Sequence, residues 1–286
     1  MNPFKDLPLV VYHANCTDGL AAAAAFLSYF KGEVEVVAGS YNKPFDVSKT
    51  EGRVIYLVDF SFSREIMKQI CSLARFVVLL DHHVSALSAL KGLSEECSNF
   101  SMELSTVENS GAVIAWRYVL GDTAQVPRIV ELIEDRDLWK FDLPETKAVH
   151  ESLSLLDRTP KAFLDAILAD DVEGLAAKGD LLLEVFNKNV ESIIKQCTRV
   201  IKIGNLEIYA ANANGMFASE VGNRLYAKQP NRFSATYYDT ADSRNFSLRS
   251  GPQGLDVSII AKDFGGGGHR NASGFIVPRD HPLAKI

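Results

Sequence analysis

The sequence contains few cysteines, and they are not spaced as a structural metal site or a disulfide framework would require. The 286 residues include four cysteines, and no two of them form a CxxC pair. This spacing argues against a zinc finger or ribbon and against a small disulfide-stapled domain. Three of the four are interpreted as small apolar core side chains, namely Cys71, Cys97 and Cys197.

Long apolar runs are also missing. No stretch approaches the ~20 apolar residues that a membrane-spanning helix needs. The first residues, MNPFKDLPLVVYH, lack the charged-then-apolar layout of a secretory signal. The hydrophobic share of 47% and the charged share of 23% are ordinary for a soluble globular protein. We therefore expect a cytoplasmic protein that does not associate with membranes.

Basic residues are outnumbered in the larger part of the chain. Residues 1–200 contain 20 Lys and Arg against 29 Asp and Glu, whereas residues 201–286 contain 10 against 7. This balance suits a cation-binding domain joined to an anion-binding domain, although two solvated surfaces would also produce it. The basic part is too small to follow long duplex DNA through many phosphate contacts, so long duplexes are not expected as partners.

Apolar runs alternate with helical patterns through the first part of the chain. Strands are predicted at 8–14, 33–39, 53–60 and 75–83, and helices at 19–30, 63–74, 111–121, 125–137 and 160–169. Strands rich in Val, Ile and Leu that alternate with helices predict an α/β fold with a doubly wound parallel sheet. This N-terminal domain is predicted over residues 1–185, and an amphipathic segment from about Asp171 to Arg199 would connect it to a second domain.

The pattern changes after residue 200. Strands are predicted at 206–213, 232–240, 245–250 and 275–277, and helices at 218–227 and 256–264. These elements predict a smaller α/β C-terminal domain over residues 201–286.

Potential metal ligands follow three of the predicted strands. They are His13, Asp59 and the triplet Asp81-His82-His83, with Asp18 at the start of the first helix. The carboxyl ends of parallel strands build the binding site of an open α/β sheet, so these residues are expected to converge. Bare carboxylates cannot share a small site without raising one another's pKa, and divalent cations remove that conflict. Taken singly, each acid could instead cap a helix and each histidine could be structural.

This set of ligands also suggests which ions would bind. Carboxylates and imidazoles together suit Mn²⁺, Mg²⁺ or related ions. Two such ions about 3.5–4 Å apart activate water and stabilise a displacement at phosphorus. The segment IEDRDLW, residues 133–139, offers a further acid, because Asp135 could reach the metals while Asp137 pairs with Arg136 or caps the helix. An exposed acid–base–acid turn is an equal alternative for this segment.

A glycine-rich segment, GGGGHRNASGF, occupies residues 265–275. Four glycines carry too much backbone entropy to begin a regular helix or strand, and their amides can approach an anion closely. The predicted substrate contacts are Gly265, Gly266, Gly267, Gly268, His269, Arg270 and, after another strand, Arg249. The alternatives are a flexible linker for the glycines and a surface charge for Arg249.

These motifs together resemble those of the DHH phosphoesterase superfamily, which is named after the triplet. YHANCTDGLAAA, VDFS and EDRDLW resemble its first, second and fourth motifs, and GGGGHRNASG resembles the signature of its associated C-terminal domain. The resemblance covers nearly the whole chain. It implies two domains across a cleft, two Mn²⁺ ions (with Mg²⁺ or Co²⁺ as alternatives) and hydrolysis of phosphoester or phosphoanhydride bonds. A homodimer is compatible with it.

The resemblance also implies a role for each matched residue. His13 and Asp59 would bind one ion, and Asp18, Asp59, His82 and Asp135 the other, with Asp59 bridging. Asp81 would orient the imidazoles, His83 would face the scissile phosphate, and His269, Arg270 and the glycine backbone would hold the substrate.

One motif departs from the family pattern. Many members carry Asp-x-Asp in the first motif, whereas this chain has Cys16-Thr17-Asp18 or, in the other register, Asp18-Gly19-Leu20. One carboxylate is missing in either register. The first ion would then be weakly held, be completed by water or use the Cys16 thiolate, and Cys16 could equally be a buried apolar residue.

The sequence therefore predicts a two-metal phosphodiesterase for short nucleotide substrates, meaning oligoribonucleotides, dinucleotides or cyclic dinucleotides. One alternative is an exopolyphosphatase-like phosphoanhydride hydrolase, and another is a non-catalytic nucleotide-binding protein. A nucleotide substrate favours an aromatic surface for base stacking. The candidates in the C-terminal part are Phe217, Tyr226, Tyr237 and Tyr238.

Overall fold

The computed structural model describes residues 7–14, 16–41, 43–102 and 105–285. They form two compact units that divide between Leu183 and Glu184. Asn15 of the first motif, residues 1–6 of the predicted N-terminal domain and residue 286 of the predicted C-terminal domain lie outside the described residues. Among the described residues, no helix is both long and apolar enough to span a membrane.

The first unit contains a parallel sheet and the helices that cover it. Its strands are β1 (Leu9–His13), β2 (Glu35–Gly39), β3 (Val54–Val58), β4 (Phe76–Leu80) and β5 (Phe100–Ser101). Its helices are α1 (Thr17–Tyr29), α2 (Arg64–Leu73), α3 (Val84–Leu90), α4 (Leu93–Glu96), α5 (Gly111–Leu120), α6 (Arg128–Asp137), α7 (Thr146–Leu153) and α8 (Pro160–Ala169). Helix α9 (Val172–Cys197) contains the division between the units. The predicted α/β class is confirmed.

Alternate residues of the strands enter two different hydrophobic cores. One core takes Val10, Tyr12, Val58, Val78 and Leu80, and the other takes Leu9, Val11, Ile55, Leu57, Val77 and Leu79. Helices α1, α5, α6 and α8 complete the first core, whereas α2, α3 and α4 complete the second. Both faces of the sheet are therefore covered, which explains why its strands are continuously apolar.

The strand order β2-β1-β3-β4-β5 reverses direction at β1. A ligand site is expected outside the carboxyl ends of β1 and β3, where the connections diverge to opposite sides of the sheet. Helix α1 begins there. It packs tightly, because Ala21–Ala25 have small side chains and all of them are fully buried. Trp116 of α5 donates its indole N–H to the carbonyl of Ala21 at 3.0 Å. The order of the strands and the packing of α1 thus bring the sequence motifs to one edge of the sheet.

The second unit contains a mixed sheet. Its strands are β6 (Thr198–Ile203), β7 (Leu206–Asn212), β8 (Ser234–Asp239), β9 (Ser243–Arg249), β10 (Gly267–His269) and β11 (Ala272–Pro278), and its helices are α10 (Ala218–Tyr226) and α11 (Val257–Lys262). The order is β10-β11-β9-β8-β7-β6, and β7 and β8 are the one parallel pair among the described strands of this second sheet. Strand β6 was not predicted, since only its first two residues fell in the predicted amphipathic segment. It forms a hairpin with β7 around Gly204, whose φ is 60°.

The glycine-rich segment is more regular than predicted. Gly265 and Gly266 end α11 by donating to the carbonyls of Lys262 and Ala261, and β10 begins at Gly267. The prediction that these glycines exclude a strand is therefore wrong from Gly267 onward. A Cβ at Gly266 would lie 2.1 Å from the carbonyl oxygen of Gly274, and one at Gly268 would lie 2.6 Å from that of Ala272. The antiparallel hairpin itself thus requires two of the glycines.

Candidate metal centre

Three strands of the first unit end in the residues that the sequence singled out. β1 ends at His13, Asp59 follows β3, and the triplet that begins at Asp81 follows β4. Asp59 has a φ of 52°, a left-handed conformation that non-glycine residues seldom adopt, and its N–H donates to the carbonyl of Leu80 at 2.9 Å. The chain therefore turns sharply at Asp59, directly beyond the sheet.

The carboxylate of Asp59 lies among three imidazoles. Its Oδ2 is 3.4 Å from Nδ1 of His13, and its Oδ1 is 3.2 Å from Nε2 of His82 and 3.8 Å from Nδ1 of His83. Asp59 is only 1% exposed, yet neither oxygen has a properly oriented hydrogen-bond partner among the described residues. Buried carboxylate oxygens are almost always hydrogen-bonded or bound to a cation, so this carboxylate points to a ligand.

Asp18 approaches the same place from the start of α1. Its Oδ1 accepts a hydrogen bond from the N–H of Ala112 at 3.1 Å, which lies in the first turn of α5. Its Oδ2 lies 4.0 Å from Nε2 of His82 and has no hydrogen-bond partner within the described part of the chain. Asp18 is 1% exposed, so the site contains a second buried carboxylate with an unsatisfied oxygen.

Gly111, the first residue of α5, is required by the close approach of these two acids. A Cβ at this position would lie 2.5 Å from Cβ of Asp59 and 2.9 Å from Oδ2 of Asp18. Ser110 caps α5 by accepting from the N–H of Val113, and its own N–H donates to Glu134. The sequence indicates a helix start in the run Ser-Gly followed by apolar residues, but nothing local in it shows that Gly111 touches the acids.

Asp137, and not Asp135, joins the cluster from α6. Oδ2 of Asp137 lies 3.5 Å from Nε2 of His82. Asp135 instead accepts hydrogen bonds from the N–H groups of Asp142 and Leu143 and from the hydroxyl of Thr146, so its carboxylate organises the turn after α6. The predicted role of Asp135 as a ligand is corrected accordingly. Helical spacing does not distinguish the two acids, because Asp135 follows the buried Leu132 by three positions and Asp137 follows the buried Ile133 by four.

Asp81 supports the triplet through one of its carboxylate oxygens. Its Oδ1 accepts from the N–H groups of His82 at 2.8 Å and His83 at 3.1 Å, and it contacts Nδ1 of His83 at 2.7 Å. The N–H of Asp81 donates to Ser105, whose hydroxyl donates to the carbonyl of Leu79. Asp81 therefore fixes the backbone after β4 and the ring of His83.

Cys16 lies immediately before α1, beside the same cluster. Its sulfur, a ring nitrogen of His13 and an oxygen of Asp59 all lie within 4.8 Å of one another. The ligand atoms of two further groups also lie within 4.8 Å of one another, namely those of Asp59 with His82 and His83 and those of Asp18 with His82 and Asp137. The three groups share Asp59 or His82, so the donors form one continuous cluster.

The pKa values of two acids in this cluster shift in opposite directions. Burial raises the pKa of Asp18 well above its usual range, and the nearby carboxylates of Asp59 and Asp137 raise it further. Burial also acts to raise the pKa of Asp59, but the imidazoles of His13 and His82 outweigh it and the pKa falls below the usual range.

The imidazole of His82 shows the opposite effect. Burial acts to lower its pKa, but the contact with Asp59 and the charges of Asp18 and Asp137 raise it to about 10. Without another cation, protons must compensate the buried acids. Carboxylate and imidazole donors with unsatisfied oxygens therefore fit divalent cations, which would replace those protons.

The predicted substrate contacts lie in the second unit. Arg249 donates to the hydroxyl of Ser219 and to the carbonyl of Leu248, both at 2.8 Å. The side chain of Arg270 is 57% exposed and lies 3.7 Å from the carboxylate of Asp256. The positions of Gly265 to Gly268 and His269 follow from the hairpin described above. Binding of a substrate by these residues stays a prediction.

The aromatic candidates of the second unit differ in exposure. Tyr237 is 1% exposed and belongs to the core, and Phe217 packs on Phe186 with ring centroids 5.1 Å apart. Tyr238 is 38% exposed. The first unit offers an aromatic residue that the sequence did not suggest. Tyr41 is 56% exposed, and its ring centroid lies 5.4 Å from that of His13.

One curated protein is similar to this chain in sequence. No family model matches the chain. An uncharacterized protein of Acanthamoeba polyphaga mimivirus, R106, is 28% identical over 291 aligned positions. The match covers 93% of this chain and 66% of R106, so the chain spans just under two thirds of that relative.

Two solved structures share the fold. The pGpG-specific phosphodiesterase PggH from Vibrio cholerae is 14% identical with a TM-score of 0.50, covering 96% of this chain and 94% of that one. An exopolyphosphatase-related protein from Bacteroides fragilis is 15% identical with a TM-score of 0.51, covering 95% and 86%. At these identities the likeness shows the fold alone.

Proposed function

We propose that this chain is a metal-dependent phosphodiesterase that hydrolyses short nucleotide substrates. The observation that carries the proposal is a pair of buried carboxylates that face His82, Asp18 and Asp59. Oδ2 of Asp18 and both oxygens of Asp59 lack hydrogen-bond partners among the described residues. A structural ion pair would satisfy these oxygens within the chain. Their arrangement at the switch point of a parallel sheet is instead typical of a ligand site.

The cluster divides naturally around Asp59. His13 and Asp59 would hold one divalent cation, and Asp18, Asp59, His82 and Asp137 the other, with Asp137 taking the place expected for Asp135. Mn²⁺ is the first choice for these oxygen and nitrogen donors, with Mg²⁺ and Co²⁺ as alternatives. When bound, such a pair of cations would lower the pKa of water and neutralise charge on the phosphoryl group.

The remaining predicted site residues would position the substrate. Asp81 holds the ring of His83 at 2.7 Å, so His83 can present its other nitrogen to a phosphoryl oxygen without losing its orientation. Arg270 would add a charge-assisted phosphate contact, because its guanidinium is more than half exposed. His269, Arg249 and the amides of Gly267 and Gly268 are the remaining proposed contacts, whereas the amides of Gly265 and Gly266 already donate to the carbonyls of Lys262 and Ala261.

Short nucleotides are the preferred substrate class for two reasons. The fold is shared along nearly its whole length with a phosphodiesterase that is specific for the dinucleotide pGpG. Tyr41 also presents an exposed ring beside His13, and a nucleobase could stack on it. The fold is equally shared with an exopolyphosphatase-related protein, so inorganic polyphosphate remains the competing substrate.

A substrate panel tests the proposal. The purified protein would be stripped of metal, supplied with Mn²⁺ and offered linear dinucleotides, cyclic dinucleotides, short oligoribonucleotides, 3′-phosphonucleotides and polyphosphate, with chromatographic identification of the products. We expect mononucleotides from at least one nucleotide substrate, and no turnover in excess chelator. Release of phosphate from polyphosphate alone would replace this proposal with the phosphoanhydride alternative.

The panel also distinguishes an enzyme from a nucleotide-binding protein. Asp59→Ala and His82→Ala should abolish the turnover while circular dichroism shows that both variants remain folded. Binding of a dinucleotide that survives both substitutions, with no turnover in the unmodified protein under any metal, would establish the non-catalytic alternative.

A further inference from the structure

We propose that Cys16 is a thiolate ligand of the cation held by His13 and Asp59, and that this position therefore selects a thiophilic divalent ion. Zn²⁺ and Co²⁺ would bind there in preference to Mg²⁺ and Mn²⁺. The inference rests on the proposed function in taking His13 and Asp59 as metal ligands. It goes further in making the two cation positions chemically different.

The first support is the placement of Cys16. Its sulfur lies within 4.8 Å of donor atoms of both His13 and Asp59. The carbonyl of Cys16 accepts from the N–H of Leu20 at 3.1 Å, as the first turn of α1 requires. A Cβ at Gly19 would lie 2.6 Å from the carbonyl oxygen of His13, so the start of α1 lies directly on the residue that ends β1. Close packing thus holds Cys16 beside His13.

The second support is independent of the cysteine. Asp59 is 1% exposed, and neither of its oxygens has a hydrogen-bond partner among the described residues. Nδ1 of His13 is also buried and has no hydrogen-bond partner within the described part of the chain, although it lies 3.4 Å from Oδ2 of Asp59. Both donors sit beside the sulfur, and their unused lone pairs indicate that a cation completes this group.

The chemistry of the donors distinguishes this position from its neighbour. The group around Cys16 offers one sulfur, one nitrogen and one oxygen, whereas Asp18, His82 and Asp137 offer only oxygen and nitrogen. Thiolates select soft or borderline ions such as Zn²⁺, whereas carboxylates also suit Mg²⁺ and Mn²⁺. Three protein ligands with a fourth position left for solvent or substrate is the usual arrangement of a catalytic zinc site.

Cobalt spectroscopy tests the inference without relying on hydrolysis. Thiolate-bound Co²⁺ has a near-ultraviolet charge-transfer absorption that oxygen and nitrogen ligands do not produce. Titration of the metal-free protein with Co²⁺ should generate this absorption at one equivalent per chain. The absorption should be lost in Cys16→Ser and retained in Cys71→Ser, because Cys71 lies on α2 in the core on the other face of the sheet. Its absence from the unmodified protein, or its persistence in Cys16→Ser, would overturn the inference.

A second variant changes the donor without deleting it. Cys16→Asp supplies the carboxylate of the commoner Asp-x-Asp pattern, so the ratio of Zn²⁺ to Mn²⁺ affinity should fall at least tenfold by competitive calorimetric titration. An unchanged ratio in this folded variant would contradict a thiolate ligand. This measurement decides the matter even if Cys16→Ser fails to fold.

The outcome is separable from that of the proposed function. Loss of the cobalt absorption in Cys16→Ser, combined with no hydrolysis of any substrate, would support the cysteine site and refute the enzyme. Mn²⁺-dependent hydrolysis by a protein that never shows the absorption would support the enzyme and refute the cysteine site.

Discussion

Asp59 and Asp135 are both buried acids of the first unit, 1% and 4% exposed, but the chain treats them in opposite ways. Asp135 receives two backbone N–H groups and a threonine hydroxyl, so it needs nothing further. Asp59 lies among imidazoles with both oxygens lacking a hydrogen-bond partner among the described residues. Burial of an acid alone therefore does not identify a functional site, and the decisive criterion is whether the chain itself satisfies the carboxylate.

Substitution of Asp59 should have the largest effect on activity. Asparagine tolerates the left-handed backbone that residue 59 adopts, so Asp59→Asn removes the charge without straining the turn. We expect kcat/KM to fall at least ~1,000-fold, because both proposed cation positions use this carboxylate. Steady-state kinetics with saturating Mn²⁺ measure the loss. Activity within tenfold of the unmodified protein would show that Asp59 does not hold the cations.

Substitution of Asp135 should affect stability instead. In the unmodified protein both oxygens of Asp135 accept hydrogen bonds from N–H or O–H donors. Asp135→Asn would replace one of these oxygens by an amide N–H₂ group, which cannot accept. We expect a loss of about 2–4 kcal/mol in the free energy of unfolding, measured in urea, because buried donors lose their partner. The metal-free Asp59→Asn protein, measured in parallel, should lose less. A larger loss of free energy of unfolding in Asp59→Asn than in Asp135→Asn would contradict the assigned difference between the two acids.

Added cation should stabilise the protein only through the acids that the chain leaves unsatisfied. At a free concentration of Mn²⁺ about 100 times the dissociation constant, the free energy of unfolding should rise by about 2.7 kcal/mol. Thermal unfolding with and without Mn²⁺ measures the change. The increase should persist in a folded Asp135 variant and disappear in Asp59→Asn. Equal stabilisation of both variants would place the cation elsewhere.

The contribution of Tyr41 should be smaller and should depend on the substrate. Tyr41→Ala removes the exposed ring beside His13 and should lower kcat/KM for a dinucleotide about tenfold, as expected when a stacked base loses its platform. Turnover of polyphosphate should not change. Tyr29, which is 60% exposed at the end of α1, provides the matched control, and its alanine variant should behave like the unmodified protein. Equal losses on both substrates would exclude base stacking at Tyr41.

The smallest expected effect concerns a histidine outside the cluster. Burial, together with the charges of Arg136 and Arg158, lowers the pKa of His150 from 6.5 to about 3. Above pH 6.5 the ring is neutral in both the folded and the unfolded state. Below pH 6.5 the imidazole is protonated in the unfolded state but stays neutral in the folded state. The free energy of unfolding therefore declines as the pH falls from 6.5 toward 3.

The variant His150→Gln isolates this contribution. It should reduce the loss of stability between about pH 7.5 and about pH 5.5 by on the order of 1 kcal/mol. Urea unfolding at both pH values measures the difference. An identical loss in the variant would show that other groups cause the pH dependence.

Much of this architecture could be predicted from the sequence because it depends on local pattern. Apolar strands that alternate with helical patterns specify the parallel sheet, and the triplet Asp81-His82-His83 marks the end of one strand. The choice between Asp135 and Asp137 is different, since residues two apart on a helix differ by about 200° around its axis and packing of α6 decides which one enters the site. The short strands β5 and β10 also escaped prediction, because two or three residues carry no readable alternation.

The bare α-carbon at residue 111 has a consequence that reaches beyond local packing. A single added methyl group would push apart the two acids that it touches, and with them the two proposed cation positions. In that proposed arrangement, a residue with no functional group would control the separation between the ions. Substrate geometry could therefore change through this helix terminus while every ligand remained in place.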